Sequence, residues 1–396
     1  MHRRTFLQLF AGASVSALPG FRLGAAAPSR VVVVGGGIIG SSIAYQLARR
    51  GVDVTICEKE APASGATANS FAWINASAGK QPGHYHRINR MSALAYRHLE
   101  PEVGGSFKVK WGGSLQWAED ADSARDLRRD VASQQTRGYP MHLIDQAEFE
   151  ALEPHLRPEA AVLAAARSGD EGSIDPVAVT QGLVDAAQRE GAKVEYPCEV
   201  TGLDLRWGRL QGVTTTNGEL QADAIVIAAG VDTPRLARMA GVEVPLRESP
   251  GLLAHTEPGP ALLGRVVLAP TGAMKQKLDG RLVLSGGFSG MTVPDDPTAD
   301  AQQILARAKQ LVTDAADLEL ERYTIGYRPL PADGHPVIGF AEGAPDVYIA
   351  VMHSGVTLSP LVGRLAASEI LDDVRVEMLE PYRVERFETG GPSASG

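Results

Sequence analysis

The sequence predicts an α/β fold in which a domain built on a parallel sheet is interleaved with a second domain that carries a mixed or antiparallel sheet. Runs of β-branched residues alternate with helical patterns near the start of the folded chain and again towards its end, which is typical of parallel-sheet units. The stretches 83–149 and 241–324 instead combine a helical pattern with short strands and turn signals. Those two stretches are therefore assigned to the second domain.

Composition excludes several classes of protein. The chain has 396 residues, 44% of them hydrophobic, which is enough for a large core and argues against disorder. Its net charge of -9 and the lack of a long basic run argue against nucleic-acid binding. Two cysteines are too few for a disulfide scaffold or a Cys-rich zinc module. No apolar run reaches the roughly eighteen residues of a membrane span.

Residues 1–29 have the order of an export signal. Arg3 and Arg4 precede Phe6 and Leu7, a weakly apolar stretch follows, and small residues close the segment. The paired arginines resemble a twin-arginine signal, so the sequence predicts an exported, periplasmic protein. The alternative is an N-terminal extension with a chance arginine pair.

The folded chain opens with the pattern of a Rossmann-like dinucleotide-binding unit. The strand Val31–Val34 leads into a glycine turn, a helix and a second strand that ends at Glu58. Gly35 permits the tight turn, Gly37 lets the backbone approach a pyrophosphate, and Gly40 lets helix and strand pack closely. Glu58 is suited to accept hydrogen bonds from ribose hydroxyls. A glycine-rich turn in an ordinary βαβ unit would not explain this acid so well.

The fingerprint alone leaves FAD and NAD open as the dinucleotide. Small polar residues in the 63–76 loop suit a segment that passes close to a flat ligand, although a solvated surface loop has a similar composition. A second buried strand, 224–230, ends in small residues that bring backbone near a cofactor. The candidate cofactor-binding residues are Gly35, Gly37, Ile38, Ile39, Gly40, Glu58, Lys59, Ser64, Ala66, Thr67, Val200, Ala229, Gly230, Ser354, Gly355, Val356 and Thr357.

The end of the chain supplies the candidate catalytic residues, Arg328 and His353. Arg328 lies in a Pro-rich turn and is a planar donor suited to a carboxylate; a surface or ion-paired arginine is the alternative. His353 precedes small residues and a helix, and either lines a pocket or is packed. No metal site is predicted, because His84 and His86 have no third ligand nearby.

Together these segments resemble the D-amino-acid oxidase family of flavoproteins, which includes glycine oxidase, sarcosine oxidase and D-amino-acid dehydrogenase. The segments are VVVVGGGIIGSSIAYQLARRG, SGATANSFAWINA, IVIAAGVDTPRLA, GYRPLPADGHPVIG and MHSGVTLSPLVGRLAASEIL. The resemblance implies FAD and an FAD-binding domain at residues 30–82, 150–240 and 325–385. It leaves 83–149 and 241–324 as the substrate domain and 386–396 as a tail.

The resemblance also implies a chemistry. Arg328 falls where the family commonly binds the substrate carboxylate, and 353–357 falls near the pyrimidine end of the flavin. An amine or amino acid would lose a hydride to flavin N5, and the imine product would hydrolyse. With oxygen as the electron acceptor the protein would be an oxidase, whereas with a quinone or an electron carrier it would be a dehydrogenase. Contact with a membrane is left open.

Two departures from relatives refine this expectation. The 63–76 loop contains no His and no Cys lies near Met352, which favours non-covalent FAD. Sarcosine-oxidase types place a lysine over the flavin, whereas alignment puts Val283 there, with Lys275 and Lys277 displaced. Fast use of oxygen is therefore in doubt.

Three other functions remain open. They are an NAD-dependent dehydrogenase, a non-catalytic flavin-binding protein, and an FAD enzyme that oxidises an alcohol or a glycerophosphate. A yellow purified protein would exclude the first, and flavin bleaching by amines would exclude the second.

Overall fold

The computed structural model describes residues 27–287, 292–341 and 343–387. The paired arginines and apolar stretch of the predicted export signal, and most of the predicted tail, lie outside these residues. The helices described are α1 Ile38–Ala48, α2 Gly83–Glu102, α3 Ala121–Thr136, α4 Gln146–Leu152, α5 Pro176–Arg189, α6 Thr233–Met239, α7 Pro297–Leu311 and α8 Gly355–Asp372. Short 3₁₀ helices span Gly230–Asp232, Glu377–Tyr382 and Val384–Phe387.

The strands fall into two principal sheets and three small ones. They are β1 Arg30–Val34, β2 Asp53–Cys57, β3 Trp73–Ile74, β4 Ser114–Ala118, β5 Met141–Ile144, β6 Ala164–Ser168, β7 Gly172–Ser173, β8 Lys193–Glu195, β9 Val200–Arg206, β10 Arg209–Thr215, β11 Gly218–Gln221, β12 Ala224–Ile227, β13 Leu246–Arg247, β14 Pro250–Thr256, β15 Val266–Ala269, β16 Gly272–Gln276, β17 Leu282–Ser285, β18 Leu320–Tyr327, β19 Leu330–Pro331, β20 Val337–Ala341 and β21 Ala344–Val351.

The first principal sheet has six strands in the order β20-β21-β12-β1-β2-β8. All of its pairings are parallel except that of β20 with β21. Val31 and Val33 of β1 face one hydrophobic cluster with α1, α5 and α8, and Val32 and Val34 face another with β9, β10 and α6. A central strand buried on both faces explains the unbroken valine run. The predicted parallel-sheet unit is confirmed.

The second principal sheet has eight strands in the order β18-β14-β17-β16-β15-β4-β6-β5. Its pairings are antiparallel apart from β15 with β4, so the predicted mixed sheet is confirmed. One face packs against α7, and the opposite face packs against Phe71 and Trp73. The two aromatic rings therefore lie on the side of this sheet that faces the cofactor loop.

Sheet membership shows how the chain passes between the two units. β6 pairs within the eight-stranded sheet, although it lies in the predicted 150–240 portion of the FAD-binding domain, and β18 crosses the predicted boundary at 325. The domain boundaries stay a prediction. β8 and β9 are separate strands in different sheets, because Pro197 between them has no N–H to continue the ladder.

None of the described helices combines the length and apolar character that a membrane crossing requires. In the same residues, no three His, Cys, Asp or Glu side chains converge as metal ligands would. Cys57 and Cys198 are both buried and unbridged.

Candidate functional site

Only glycine fits at position 35, in the turn between β1 and α1, and at position 40, in the first turn of α1. Gly35 has φ +106°, and a Cβ there would lie 2.5 Å from the carbonyl oxygen of Ala228. A Cβ on Gly40 would lie 2.0 Å from the carbonyl oxygen of Gly35. Backbone cannot yield as a flexible side chain can, so the chain approaches itself here as closely as the glycine pattern predicts.

The N-terminus of α1 keeps hydrogen-bond donors for a ligand. Gly37 is the N-cap and has no side chain with which to cap the first turn. The Thr67 hydroxyl accepts a hydrogen bond from Ile38 N–H at 3.1 Å, which fastens the following loop to this turn. The other N–H groups of the first turn have no intrahelical acceptor, and the helix dipole favours an anion there. This arrangement fits a pyrophosphate.

Glu58 lies at the end of β2, beside the glycine turn. Its carboxylate accepts hydrogen bonds from Gly36 N–H at 2.7 Å and from Glu60 N–H at 3.0 Å, and the residue is 9% exposed. These bonds fix the carboxylate where a ribose would meet it. The Lys59 ammonium pairs with Asp232, two residues after Gly230, at 2.7 Å, and that hydrogen bond raises the pKa of Lys59.

The N-terminus of α8 meets the N-terminus of α1. A Cβ on Gly355 would lie 3.3 Å from Cγ1 of Ile39, so the two helix starts are in contact. The Thr357 hydroxyl donates to the carbonyl of Trp73 and accepts from Asn75 N–H, each at 3.2 Å. Predicted cofactor residues from both ends of the sequence therefore lie together.

The remaining predicted cofactor residues, apart from Val200, follow β12 or lie in the segments that meet the α1 and α8 N-termini. Ala229 and Gly230 follow β12, and the Cα of Ala229 would lie 3.1 Å from a Cβ on Gly35. Ser64 and Ala66 lie in the turn-rich loop that Thr67 fastens. The carbonyl of Val356 accepts a hydrogen bond from Tyr96, whereas Val200 is 1% exposed in the core beside Cys57 and Cys198.

Arg328 follows β18, the edge strand of the second sheet, and lies close enough to His353, which follows β21 of the first sheet, for its charge to act on that imidazole. The Arg328 guanidinium donates to the carbonyl of Pro250 at 3.0 Å, and burial lowers its pKa. Among the residues described, no carboxylate lies within ion-pairing distance of it. The His353 side chain reaches solvent, yet desolvation by the protein around the ring lowers its pKa to about 4, and the charges of Lys80 and Arg328 lower it further. At neutral pH the pair therefore presents one cation and one neutral imidazole.

Two residues of the site carry no signal in the sequence. Lys80 is 6% exposed and donates to the Ser354 hydroxyl at 2.5 Å, and burial lowers its pKa to about 8. Tyr85 donates to the same hydroxyl at 2.8 Å. A lysine in a glycine-rich stretch is ordinarily solvated, so nothing in the local pattern predicts its burial.

Lys275 also differs from its sequence-based placement. Alignment puts Val283 at the position facing the flavin, with Lys275 displaced, but the two residues are cross-strand partners in β16 and β17. Cross-strand partners share one face of a sheet. The ammonium of Lys275 reaches the carbonyl of Ala72, in the loop that follows the predicted cofactor residues, at 3.2 Å.

Comparison with known proteins decides the family. The DAO family, described as FAD dependent oxidoreductase, matches residues 30–369. The chain belongs to this family. The FAD prediction is confirmed by this match, and the NAD-dependent alternative is set aside.

Individual relatives agree with the family match over most of the chain. A glycine oxidase from Geobacillus kaustophilus is 29% identical over 367 residues, which are 90% of this chain and 96% of the relative. A D-amino acid dehydrogenase from Cereibacter sphaeroides is 25% identical, covering 78% of this chain and 84% of the relative. The structure of L-proline dehydrogenase from P. horikoshii has a TM-score of 0.82 at 26% identity, covering 93% of this chain and 100% of that one.

The residues present fit FAD. Gly35 and Gly40 allow the close backbone packing that shapes the turn, donors remain at the α1 N-terminus, and an acid stands at the end of β2. The turn after β1 would hold the pyrophosphate, Glu58 the ribose, and the α8 N-terminus the electron-rich edge of the flavin ring. The arrangement can therefore carry the redox chemistry of FAD beside Arg328 and His353.

Proposed function

We propose that the protein oxidises the carbon–nitrogen bond of a small amino acid or N-alkyl amino acid. The observation that carries the proposal is the half-buried Arg328 guanidinium, which lies near His353 and has no acidic partner among the described residues. Such a group can bind a carboxylate through two parallel hydrogen bonds. FAD, when bound, supplies the hydride acceptor.

The charges around the site support an amine that reacts in its neutral form. Lys80 and Arg328 are both close enough to His353 to lower its pKa, so the region is electropositive. Nearby positive charges lower the pKa of an ammonium group, which favours the neutral amine that hydride loss requires. Arg328 would orient the substrate, and His353 would remain neutral, able to hydrogen-bond without adding repulsion.

The names of relatives support an amino-acid substrate but not a particular acceptor. Glycine oxidase and D-amino acid dehydrogenase both match most of this chain. Oxidases and dehydrogenases thus occur side by side among the relatives. Oxygen consumption, compared with reduction of a quinone by the same preparation, distinguishes the two acceptors.

The first experiment is an anaerobic screen of amino acids, N-methylated amines, alcohols and glycerophosphate that follows loss of the flavin absorbance. Bleaching by a carboxylate-bearing amine supports the proposal, whereas bleaching only by alcohols or glycerophosphate overturns it. Failure of every amine to bleach would favour a non-catalytic flavoprotein.

The second experiment tests the carboxylate clamp. In Arg328→Met, the KM for the preferred amino acid should rise roughly a hundredfold, because a buried charge-assisted contact is worth about 2–5 kcal/mol. FAD should remain bound. Arg322→Met, at an exposed position of the strand β18 that leads to Arg328, is the matched control. An unchanged KM in Arg328→Met would show that the clamp is wrong.

Two further expectations belong to the proposal. We propose export by the twin-arginine route, supported by Arg3 and Arg4, and tested by replacing both with lysine and comparing periplasmic fractions. We also propose non-covalent FAD, since the 63–76 loop lacks His. Acid precipitation should release the flavin into the supernatant, and a yellow pellet would contradict this.

A further inference from the structure

We propose that Lys275 is a positioning residue that holds the Ala72 carbonyl and thereby fixes the segment Phe71–Asn75 between the two principal sheets. Its ammonium donates to the carbonyl of Ala72 at 3.2 Å and to the carbonyl of Ile174 at 2.8 Å. The residue is 2% exposed. The contact therefore joins β16 of the second sheet to the loop that leads away from the predicted cofactor residues.

Ala72 is the point in this segment where a clamp is needed. Its φ is +54°, a left-handed conformation that costs an alanine free energy and that glycine adopts freely. The carbonyl accepts a second hydrogen bond, from Ile174 N–H at 3.2 Å. Such a conformation persists only where the surroundings over-determine it, and these two donors do so.

The conformation at Ala72 places alternate side chains in different cores. Phe71 and Trp73 pack against the second sheet with Val283, whereas Ala72 and Ile74 pack in the cluster that contains α1 and α8. The segment is thus sandwiched between the two units. Movement of the Ala72 peptide would disturb both packed faces at once.

The other end of the segment is tied to the cofactor side. The Thr357 hydroxyl bonds both Trp73 and Asn75, and Glu171 accepts a hydrogen bond from the Trp73 indole at 3.0 Å. Thr357 lies in the first turn of α8, where the flavin edge is expected. Lys275 therefore completes the fastening of this segment from the substrate-domain side.

No acidic partner accounts for the burial of Lys275. Among the described residues no carboxylate lies within ion-pairing distance of its ammonium, and the nearby Asp175 pairs with Lys277 at 2.5 Å. The Phe71 ring lies 5.6 Å from the ammonium, and burial lowers the pKa of Lys275 to about 7. The carbonyls of Ala72 and Ile174 and the Phe71 ring are thus the groups that stabilise the buried ammonium.

The test is a double-mutant cycle of Lys275→Met and Ala72→Gly. The first change removes the donor and keeps an unbranched side chain, and the second removes the penalty of the left-handed conformation. In Lys275→Met the dissociation constant for FAD should rise about tenfold, with a shift in the flavin absorbance bands. Adding Ala72→Gly should recover most of that loss, because glycine adopts the left-handed conformation without the steric cost that the clamp offsets.

Lys277→Met is the matched control. Lys277 lies two residues beyond Lys275 and pairs with Asp175 without reaching Ala72, so its loss should leave the flavin spectrum unchanged. On an accepted substrate, Lys275→Met should lower kcat more than it raises KM, since Arg328 remains in place. A purely structural role would give additive losses in the cycle, without recovery.

The outcomes separate this inference from the substrate proposal. The inference about Lys275 rests on the proposed function only because the segment Phe71–Asn75 borders the proposed reaction site. Additive effects on FAD binding and spectrum in the cycle overturn the clamp, even if amines are oxidised as proposed. Recovery by Ala72→Gly supports it, even if no amine proves to be a substrate. If Lys275→Met does not fold, the test uses Ala72→Gly in the wild-type background. That variant should preserve the flavin absorbance spectrum. A large change in the spectrum would overturn the clamp.

Discussion

The hydroxyl of Thr67 lies 3.1 Å from the N–H of Ile38, so that the loop after β2 is fastened to the first turn of α1. Between them these segments contribute most of the expected contacts to the pyrophosphate. Because this side-chain hydrogen bond adds to the backbone bond from Ala63 N–H to the Gly36 carbonyl, the shape of the phosphate site depends in part on a residue outside the glycine fingerprint.

Thr67→Val should weaken FAD binding without unfolding the protein. The isosteric change removes the acceptor for Ile38 N–H, and a lost hydrogen bond of this kind is worth about 0.5–1.5 kcal/mol, or roughly fivefold in affinity. Fluorescence titration of the apoprotein with FAD measures the effect. Thr136→Val, at the exposed end of α3, is the control. Equal affinities in the two variants would contradict a role for the Thr67 contact.

Gly40→Ala should destabilise the apoprotein itself. The new Cβ would lie 2.0 Å from the carbonyl oxygen of Gly35, so backbone must move, and overpacking of this kind costs about 1–3 kcal/mol. Urea unfolding of the FAD-free protein measures the loss. Gly65→Ala, where a Cβ meets nothing within 4 Å, should unfold like the parent. Matching midpoints for the two variants would contradict the close approach of α1 to its turn.

Local steric rules explain why part of this site is readable in the sequence. Gly35 and Gly40 are required by close approaches of backbone, and Glu58 follows its strand at a fixed spacing, so a short pattern specifies all three. The valine run of β1 similarly reports burial on both faces. Each of these features is determined by residues nearby in the sequence or within a single sheet, and each is present in the structure.

Long-range packing explains what the sequence did not reveal. Lys80 contacts Ser354 at a sequence separation of 274 residues, and Lys275 contacts Ala72 at a separation of 203 residues. Both lysines are buried, although lysine is seldom buried in folded proteins. No local pattern encodes such contacts. Alignment by strand pattern alone puts Val283 towards the flavin and overlooks the lysine paired with it on the neighbouring strand.

The burial of Lys80 predicts a pH dependence of stability. Its pKa falls from 10.5 to about 8 on folding, so between about pH 8 and 10.5 the unfolded chain binds more protons than the folded one. The contribution of Lys80 to the free energy of unfolding therefore rises with pH across this window. Lys80→Met should flatten the rise, measured by urea unfolding at several pH values. Lys108→Met, at an exposed position, should leave the slope unchanged, and a parent-like slope in Lys80→Met would contradict the buried cation.

A buried ion pair holds the end of the described chain against α8. Arg383 donates to both carboxylate oxygens of Glu369, at 2.5 and 2.9 Å, and Tyr348 donates to the same carboxylate at 2.8 Å. Arg383→Met leaves the carboxylate buried with its charge uncompensated, so the free energy of unfolding should fall by about 3–5 kcal/mol.

Adding Glu369→Gln to Arg383→Met removes the stranded charge and should restore part of the stability, because the amide can still accept from Tyr348. Thermal unfolding of the single and double variants measures the recovery. Arg375→Met, which breaks an exposed pair with Glu380 at 2.8 Å, should cost less than about 1 kcal/mol. A double variant less stable than Arg383→Met would show that the charge of Glu369 stabilises the fold through groups other than Arg383.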